Sequence, residues 1–299
     1  MTDNLRGILA VLIGSTAFVF HDAMAKLLTA ELPSSEIILV RGVIGNAMMI
    51  ACVFVLGARR PLSILLQPLM IVRLLGTGCG TVFIILSLRY LPLPTTTTVL
   101  QATPLIVTAG AAYFYGDAVG WRRWTAVCTG FLGVILIVRP GSLGAFGDAG
   151  FLVLIALICT TTRDLSTRGL PKDIPSIFVA AASSVVSTIS GFVILPFDTA
   201  WIAPSAFAWT LMVVSAALVV VATTFMTVGL RTGEIAVVAP FRYVPVPLAL
   251  LLGFWLWGDM PDAIAWLGIA FVLGAGLYTL HRERASLRRR AETVEVAAE

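Results

Sequence analysis

The sequence is poor in charge and has almost no histidine. Charged residues make up 12% of the 299 residues, and the only histidines are His21 and His281. Soluble domains carry about a quarter charged residues, so this chain lacks the surface of a soluble domain. Two histidines also leave little from which to build a metal centre or the base of a catalytic nucleophile.

Several catalytic and nucleotide-binding motifs are absent as well. The sequence has no glycine-rich loop ending in Gly-Lys-Ser/Thr, no His-Glu-x-x-His and no Gly-x-Ser-x-Gly. These absences argue against an ATP-driven pump, a zinc protease and a serine hydrolase. The four cysteines lie in apolar runs without disulfide or metal-ligand spacing, so we interpret them as small hydrophobic residues. We therefore expect no enzyme activity, no cofactor and no metal.

Apolar residues are abundant instead. They make up 59% of the chain, and the mean hydropathy is +0.98, which is more apolar surface than a soluble core of this length can bury. A bilayer core needs about 20 helical residues to cross it. The sequence predicts an all-α integral membrane protein with ten transmembrane helices, at roughly 7–28, 34–56, 69–90, 95–115, 122–139, 150–170, 175–195, 207–230, 235–257 and 262–280.

Basic residues are distributed unevenly between the two predicted sides of the membrane. Fifteen lie on one side, whereas only Lys26, Arg89 and Arg139 lie on the other. The positive-inside rule then places both termini in the cytoplasm. The segment 282–299 is predicted to be a basic cytoplasmic tail near anionic lipid, so the net positive charge requires no nucleic-acid partner.

A constant offset of 142 residues relates the two halves of the chain. It carries Asp22 and Lys26 onto Asp164 and Arg168. Other matched pairs are Pro33 with Pro175, Thr81 with Thr223, Phe83 with Phe225, Gly116 with Gly258, Asp117 with Asp259 and Trp124 with Trp266. The predicted units are a first repeat at 7–139 and a second at 149–281. Because each unit has an odd number of spans, the second is inverted, an arrangement typical of alternating-access carriers.

Three segments make the chain resemble the EamA-type drug/metabolite transporters. They are Ile38-Leu39-Val40-Arg41-Gly42, Tyr113-Phe114-Tyr115-Gly116-Asp117 and Ala239-Pro240-Phe241-Arg242-Tyr243, and the resemblance extends over 7–281. It implies a multi-pass secondary transporter of the bacterial inner membrane that handles a small molecule. The family often has Glu where this chain has Asp117 and Asp259, which makes a family role at those positions less secure.

The resemblance is greatest to bacterial riboflavin or S-adenosylmethionine uptake carriers, and riboflavin is the preferred expectation. An S-adenosylmethionine carrier and an exporter of amino acids or drugs are the alternatives. A flat heteroaromatic ligand suits a cavity walled by aromatic rings. Candidates for that wall are Phe18, Phe20, Phe83, Phe225, Tyr243 and Trp209. The plain alternative is that these rings pack against neighbouring helices or lipid.

The predicted ninth span is the first choice for substrate binding. Arg242 lies about 12 Å past Glu234, near the middle of the membrane, and prolines around it free backbone carbonyls. An arginine that merely holds those carbonyls is an equally acceptable interpretation. Gln101 corresponds to Tyr243 in the repeat, so these two side chains are predicted on opposite walls of the site.

The mirrored pairs Asp22 with Lys26 and Asp164 with Arg168 are predicted to gate the two mouths of the cavity. Each pair places acid and base four residues apart on one helix face. Solvated ion pairs at helix ends are the alternative. His21, beside Asp22, is a candidate for coupling transport to protons, although an interfacial structural role is the more common one for such a residue.

A passive channel and an intramembrane enzyme are the other two function classes for such a chain. A passive channel does not need mirrored half-sites, and an intramembrane enzyme needs a convergent catalytic set that the sequence lacks. Glycines in the fifth and tenth spans permit close helix contact, either within one chain or between two chains of a homodimer. The expected partners are therefore a small-molecule substrate, membrane lipid and a second copy of the chain.

Overall fold

The structure is a computed structural model that describes residues 3–58, 60–116, 120–139, 149–171, 173–198, 200–232 and 238–298. The regular structure in these ranges is entirely helical, which confirms the predicted all-α class. Asp117, one of the two aspartates at the ends of the repeat motif, lies outside these ranges.

The described residues form eleven α-helices, numbered in chain order. They are α1 (Asp3–Leu28), α2 (Ser34–Val55), α3 (Pro68–Tyr90), α4 (Leu93–Leu100), α5 (Thr103–Phe114), α6 (Trp121–Val138), α7 (Ala149–Arg168), α8 (Ser176–Ile194), α9 (Ala206–Thr232), α10 (Pro245–Trp257) and α11 (Ala263–Ala298). A 3₁₀ turn at Ala239–Tyr243 precedes α10. The last helix continues as one element through the predicted tail to Ala298.

Nine helical segments of the described chain are long and apolar enough to cross a membrane. This agrees with a multi-pass membrane protein but is one fewer than the ten predicted spans. The missing one is the predicted span 95–115, which is divided into α4 and α5 at Gln101 and Ala102. Pro104 causes the division, because its ring displaces the carbonyl of Leu100 and supplies no N–H to the helix.

The helices form two bundles that are equivalent under the 142-residue offset. In the first bundle α1 packs on α9 and α10, and α2 packs on α9. In the second bundle α7 packs on α3, α4 and α5, and α8 packs on α3. Each contact in one bundle therefore has a counterpart in the other, and each bundle takes helices from both halves of the sequence.

The two bundles meet along α2 and α8, at residues that correspond to each other in the repeat. The Asn46 amide donates to the Thr188 hydroxyl over 2.9 Å, and these residues are separated by 142 positions. Gly42 lies against the same threonine, where there is no space for a β-carbon. The two bundles are therefore in contact through residues that occupy equivalent positions in the two halves of the sequence.

The helices α6 and α11 form a separate pair beside the bundles. A β-carbon on Gly133 would lie 2.7 Å from the carbonyl oxygen of Gly268, and the reverse distance is also 2.7 Å. The glycines are therefore required for this close crossing, which occurs within one chain. At one end of the pair Arg139 binds Asp262 at 2.6 Å, and this hydrogen bond lowers the pKa of the exposed Asp262 carboxyl.

The helices end at two opposite ends of the molecule, named here after Lys26 and Arg168. The Lys26 end is where α1, α3 and α10 end, because Lys26 contacts the last residues of both other helices. The Arg168 end is where α5 and α7 end and α3 begins, since Arg73 binds Thr167 and Tyr115 binds Leu165.

Candidate functional site

Two discontinuous helical segments touch at the points where each is interrupted. The break between α4 and α5 lies at Gln101, and the corresponding break before α10 lies at Arg242 and Tyr243. The Gln101 side-chain amide donates to the backbone carbonyl of Arg242. The structure therefore brings together three residues that the sequence predicted at the site. Gln101 does not face Tyr243 across a space but binds the backbone beside it.

Proline chemistry explains why backbone groups are available at both breaks. Pro104 frees the Leu100 carbonyl, which instead accepts a 2.6 Å hydrogen bond from the Thr103 hydroxyl. In the second segment Pro245 interrupts the helix, and the Val244 N–H donates to the Phe241 carbonyl in a 3₁₀ bond of 3.3 Å. Interrupted helices that line a cavity are the usual place for polar ligands in membrane carriers.

The predicted aromatic residues are placed around this crossing in different environments. Tyr243 is buried, and its hydroxyl lies against Gly276 of α11. Phe18 and Phe83 are half-buried, whereas Phe225 is exposed. In the described part of the chain these rings do not stack on one another. The aromatic wall around a substrate stays a prediction.

His21 lies at the centre of a buried polar cluster in the first bundle. Its Nδ1 is 2.9 Å from both the carbonyl and the hydroxyl oxygen of Ser215, and its Nε2 is 3.1 Å from Nη1 of Arg41. A guanidinium only donates, so Nε2 must accept and Nδ1 carries the proton. Because both ring nitrogens are engaged, a second proton on His21 would require Arg41 to leave.

Arg73 lies at the centre of a second polar cluster, in the second bundle. Its Nε donates to the Thr167 hydroxyl over 2.8 Å, and its Nη1 donates to the Ser183 hydroxyl. Asp164, close by, binds Nε of Arg163 at 2.8 Å and also attracts Arg73 electrostatically. The sequence had assigned Arg73 only to the cytoplasmic charge count, because it lies near the start of its span. In the structure its guanidinium instead binds side chains of α7 and α8 and so connects these two helices to α3.

Lys26 joins the two bundles at the Lys26 end. Its ammonium donates to the Leu91 carbonyl over 2.5 Å and lies 3.5 Å from the Leu88 carbonyl, at the end of α3. The ammonium is also 5.3 Å from the ring centre of Trp257. A cation beside the terminal carbonyls of a helix is stabilised by the helix dipole, and the ring adds cation–π attraction. Asp259 adds an electrostatic attraction from the same bundle as Trp257.

Arg168 repeats part of this arrangement at the other end. Its guanidinium carbon lies 5.7 Å from the ring centre of Tyr115, and Tyr115 is the residue equivalent to Trp257. The Tyr115 hydroxyl donates to the Leu165 carbonyl over 3.1 Å. Gly116 and Gly258, which follow the two aromatic residues, both adopt positive φ, at 67° and 69°. That conformation favours glycine, so the two helix ends share one local design.

The two predicted acid–base pairs are not made in this structure. Lys26 binds helix carbonyls rather than Asp22, and Asp164 binds Arg163 rather than Arg168. The reason is competition: an adjacent arginine and the carbonyls at a helix end are better placed than a residue one turn away. The same residues therefore stay candidates for gating, but Lys26 has the Leu91 carbonyl as its partner and Asp164 has Arg163.

The sequence reasoning missed the partners Ser183, Ser215, Thr167, Trp257 and Tyr115. The offset of 142 contains a signal for several of them, because it pairs Trp257 with Tyr115, Arg41 with Ser183 and Arg73 with Ser215. The matches that reveal the offset are identical or similar residues. Pairs that differ in type but occupy equivalent positions were therefore overlooked.

Comparison with known proteins identifies transporters. Residues 5–139 match the EamA-like transporter family. A riboflavin transporter of Vibrio cholerae is 25% identical over 292 residues, covering 96% of this chain and 97% of the relative. A riboflavin transporter of Rhizobium johnstonii is 28% identical over 193 residues, covering 64% of this chain and 63% of that relative. An S-adenosylmethionine uptake transporter of Rickettsia felis is 23% identical over 94% of both chains.

One solved crystal structure has the same fold. It superposes with a TM-score of 0.63 at 20% sequence identity, over 94% of this chain and 98% of that chain. The nine membrane-spanning candidates and the bacterial relatives agree with a multi-pass location in the inner membrane. The resemblance seen in the sequence is confirmed over residues 5–139, the part of the chain that matches the EamA-like transporter family.

Proposed function

We propose that the protein is a secondary transporter that moves a small metabolite by alternating access of its two bundles, and that it is not an enzyme. The observation that carries this proposal is the contact between Gln101 and the Arg242 carbonyl, where two interrupted segments meet at equivalent positions. Such a crossing offers backbone and side-chain polar groups at one place between two movable halves. A channel has no need for two equivalent bundles.

The proposed topology has ten spans, with α4 and α5 together forming the fourth. The first repeat is 7–139, the second is 149–281, and 282–299 is a cytoplasmic tail. The exchange of equivalent contacts between the bundles supports inverted repeats. With both termini in the cytoplasm, the Lys26 end faces the periplasm and the Arg168 end faces the cytoplasm. A homodimer is a further proposal.

The proposed gates are Lys26 and Arg168. Lys26 sits with Trp257 in the first bundle and binds the end of α3 in the second. Breaking the Lys26–Leu91 contact would allow the bundles to separate at the periplasmic mouth. Arg168, beside Tyr115, is proposed to close the cytoplasmic mouth in the opposite state. Asp22 and Asp164 are proposed to neutralise the charges of Arg41 and Arg73, which lie further inside the bundles than the gates. His21 is proposed to couple transport to protons.

The proposed substrate is riboflavin, taken up into the cell. Support comes from two relatives that are called riboflavin transporters, one of them along almost the whole chain. The proposed binding residues are Arg242, Tyr243, Gln101, Phe18, Phe83 and Phe225. An S-adenosylmethionine carrier is the second candidate, favoured by the relative from Rickettsia felis. An exporter is the third, because a protein called a pseudopaline exporter, from Pseudomonas aeruginosa, is 22% identical over 279 residues.

Counterflow in proteoliposomes tests the function and the substrate together. Vesicles loaded with unlabelled riboflavin are expected to accumulate labelled riboflavin transiently, which a channel cannot do. Loading with S-adenosylmethionine or amino acids serves as the comparison. Counterflow with S-adenosylmethionine alone would replace riboflavin as substrate, and passive equilibration in every case would exclude a carrier. The Arg242→Gln variant is expected to weaken riboflavin binding in a thermal-shift assay.

A further inference from the structure

Two polar clusters, of which the first is buried and the second is partly exposed, occupy equivalent places in the two bundles. The first contains His21, Arg41 and Ser215, with Asp22 close to Arg41. The second contains Arg73, Thr167 and Ser183, with Asp164 close to Arg73. Each cluster ties three helices together around one aspartate: α1, α2 and α9 in the first bundle, and α7, α8 and α3 in the second.

The arginine and the serine have exchanged positions between the clusters. The offset of 142 carries Arg41 onto Ser183 and Arg73 onto Ser215. In the first bundle the arginine therefore stands on α2 and the serine on α9. In the second bundle the helix equivalent to α2 carries the serine, and the helix equivalent to α9 carries the arginine.

After the exchange, each aspartate still lies near one arginine of this pair, and in the second cluster Arg163, the equivalent of His21, adds a further cation that binds Asp164 at 2.8 Å. An aspartate inside a bilayer is costly unless a cation lies nearby. Arg41 attracts Asp22, and Arg73 attracts Asp164. In the first cluster Ser215 takes the hydrogen bond of His21, while in the second Ser183 takes the hydrogen bond of Arg73.

We propose that Arg41 and Arg73 are equivalent positioning residues of the transport cycle, each of which holds its bundle as a rigid unit around its aspartate. What each cluster requires is one arginine and one serine on the two helices that flank the aspartate helix. Which of the two helices bears the arginine is interchangeable. This inference rests on the proposed function in so far as the bundles are the moving parts.

The decisive test moves the arginine within one cluster. The variant Arg41→Ser leaves Asp22 without its cation, and Ser215→Arg places two cations beside His21. Each single change is expected to lower the maximal counterflow rate by at least about tenfold, because an uncompensated buried charge is strongly unfavourable. The double variant Arg41→Ser with Ser215→Arg puts the arginine and the serine of the first cluster on the helices that bear them in the second, while His21 is kept. Its rate is expected to return to within about threefold of the original protein.

The second bundle supplies a matched experiment. Arg73→Ser and Ser183→Arg are each expected to be defective, and their combination is expected to recover. The KM for substrate should stay unchanged in all these variants, because neither arginine is placed at the Gln101–Arg242 crossing. Arg41→Lys keeps the charge but not the planar fork, so a partial loss of rate is expected.

Distances between spin labels separate a failure of this inference from a failure of the proposed function. Labels on the exposed residues Ala30 and Ala203 report on α1 against α9, and labels on Leu62 and Pro171 report on α3 against α7. Arg41→Ser is expected to broaden the first distribution only, and the double variant is expected to narrow it again, whatever the substrate is. A double variant that is folded in detergent but remains as broad and as slow as Arg41→Ser would overturn the inference. A narrow distribution without riboflavin counterflow would instead count against the proposed substrate.

Discussion

The Lys26 end and the Arg168 end are built from equivalent residues, but these residues are buried to different degrees. At the Lys26 end the cation is half-buried and bound to the carbonyl of Leu91. At the Arg168 end the cation is exposed and rests against Tyr115. Behind them, His21 is 8% exposed, whereas the side chain of its equivalent, Arg163, is 35% exposed. Equivalent residues are therefore more deeply buried at the Lys26 end than at the Arg168 end, and in terms of the proposed gates the Lys26 end is the closed one.

The closed end also carries a free-energy cost. The hydroxyls of Ser34, Ser35, Thr96, Thr97 and Thr98 are buried there without a hydrogen-bond partner in the described part of the chain. Each such group costs roughly 1–3 kcal/mol when it is taken from water without a replacement partner. Opening this end would return water to these groups. We therefore expect the contacts of Lys26 to offset part of this cost.

The largest change in the difference between the two ends is expected when the cation at the Lys26 end is removed. Lys26→Gln removes the charge that binds the end of α3 and the ring of Trp257. We expect the Lys26 end to open in most molecules and counterflow to fall by at least about tenfold, since a charged hydrogen bond is worth about 1.5–3 kcal/mol. Spin-label distances across that end and transport rates measure the two effects.

Arg6→Gln is the matched control for this prediction. Among the described residues, the exposed Arg6 forms its ion pair with the nearby exposed Asp3, so its removal should change neither quantity. Unchanged distances in Lys26→Gln would remove Lys26 from the gate.

A second change should affect both ends alike. Gly133→Val places a branched side chain where α6 crosses α11 at Gly268. We expect a loss of about 1–3 kcal/mol in stability from overpacking, with the balance between the two ends unchanged. Unfolding in mixed micelles measures the first and spin-label distances the second. Val127→Leu on the same helix is the control for volume alone. A shift in favour of one end would show that the α6–α11 pair takes part in gating.

The aromatic residues sharpen the comparison further. Trp257→Ala should favour opening at the Lys26 end, and Tyr115→Ala should favour opening at the Arg168 end, by about 0.5–2 kcal/mol each for the lost cation–π contact. Tyr115→Phe keeps the ring and loses only the hydrogen bond to Leu165, so its effect should be smaller. Cysteine-accessibility measurements from the two sides of a vesicle distinguish the directions. Shifts in the same direction would contradict the equivalence of the two residues.

The smallest effect is expected at Asp262. Its pKa is lowered mainly by the hydrogen bond from Arg139, so its contribution to stability is present above the ordinary aspartate pKa of about 3.9. That contribution is lost as the pH falls through the lowered pKa of the folded state. Asp262→Asn should therefore cause only a slight loss of thermal stability at neutral pH, because the pair is exposed. Any large change in transport would be unexpected.

Much of the fold follows from the sequence because the bilayer imposes a length and a polarity on every span. The break of the fourth segment was less visible, since only Pro104 marks it and prolines are tolerated in membrane helices. The partners at the site were less predictable still. Spacing places Asp22 and Lys26 on one face of α1, but the choice between Asp22 and the Leu91 carbonyl depends on where α3 ends in space. That is a tertiary contact, and no pattern within α1 contains it.

The contact between Asn46 and Thr188 has a meaning beyond the joining of two bundles. In a dimer of one five-helix unit, the residue at this place would face its own copy across the two-fold axis, as in any isologous interface. One side chain would then have to serve as donor and acceptor to itself. Once both copies belong to one chain, the two positions are encoded separately, and here one has become an amide that donates and the other a hydroxyl that accepts. The contact between the two bundles is therefore not symmetric, although the two positions are equivalent in the sequence.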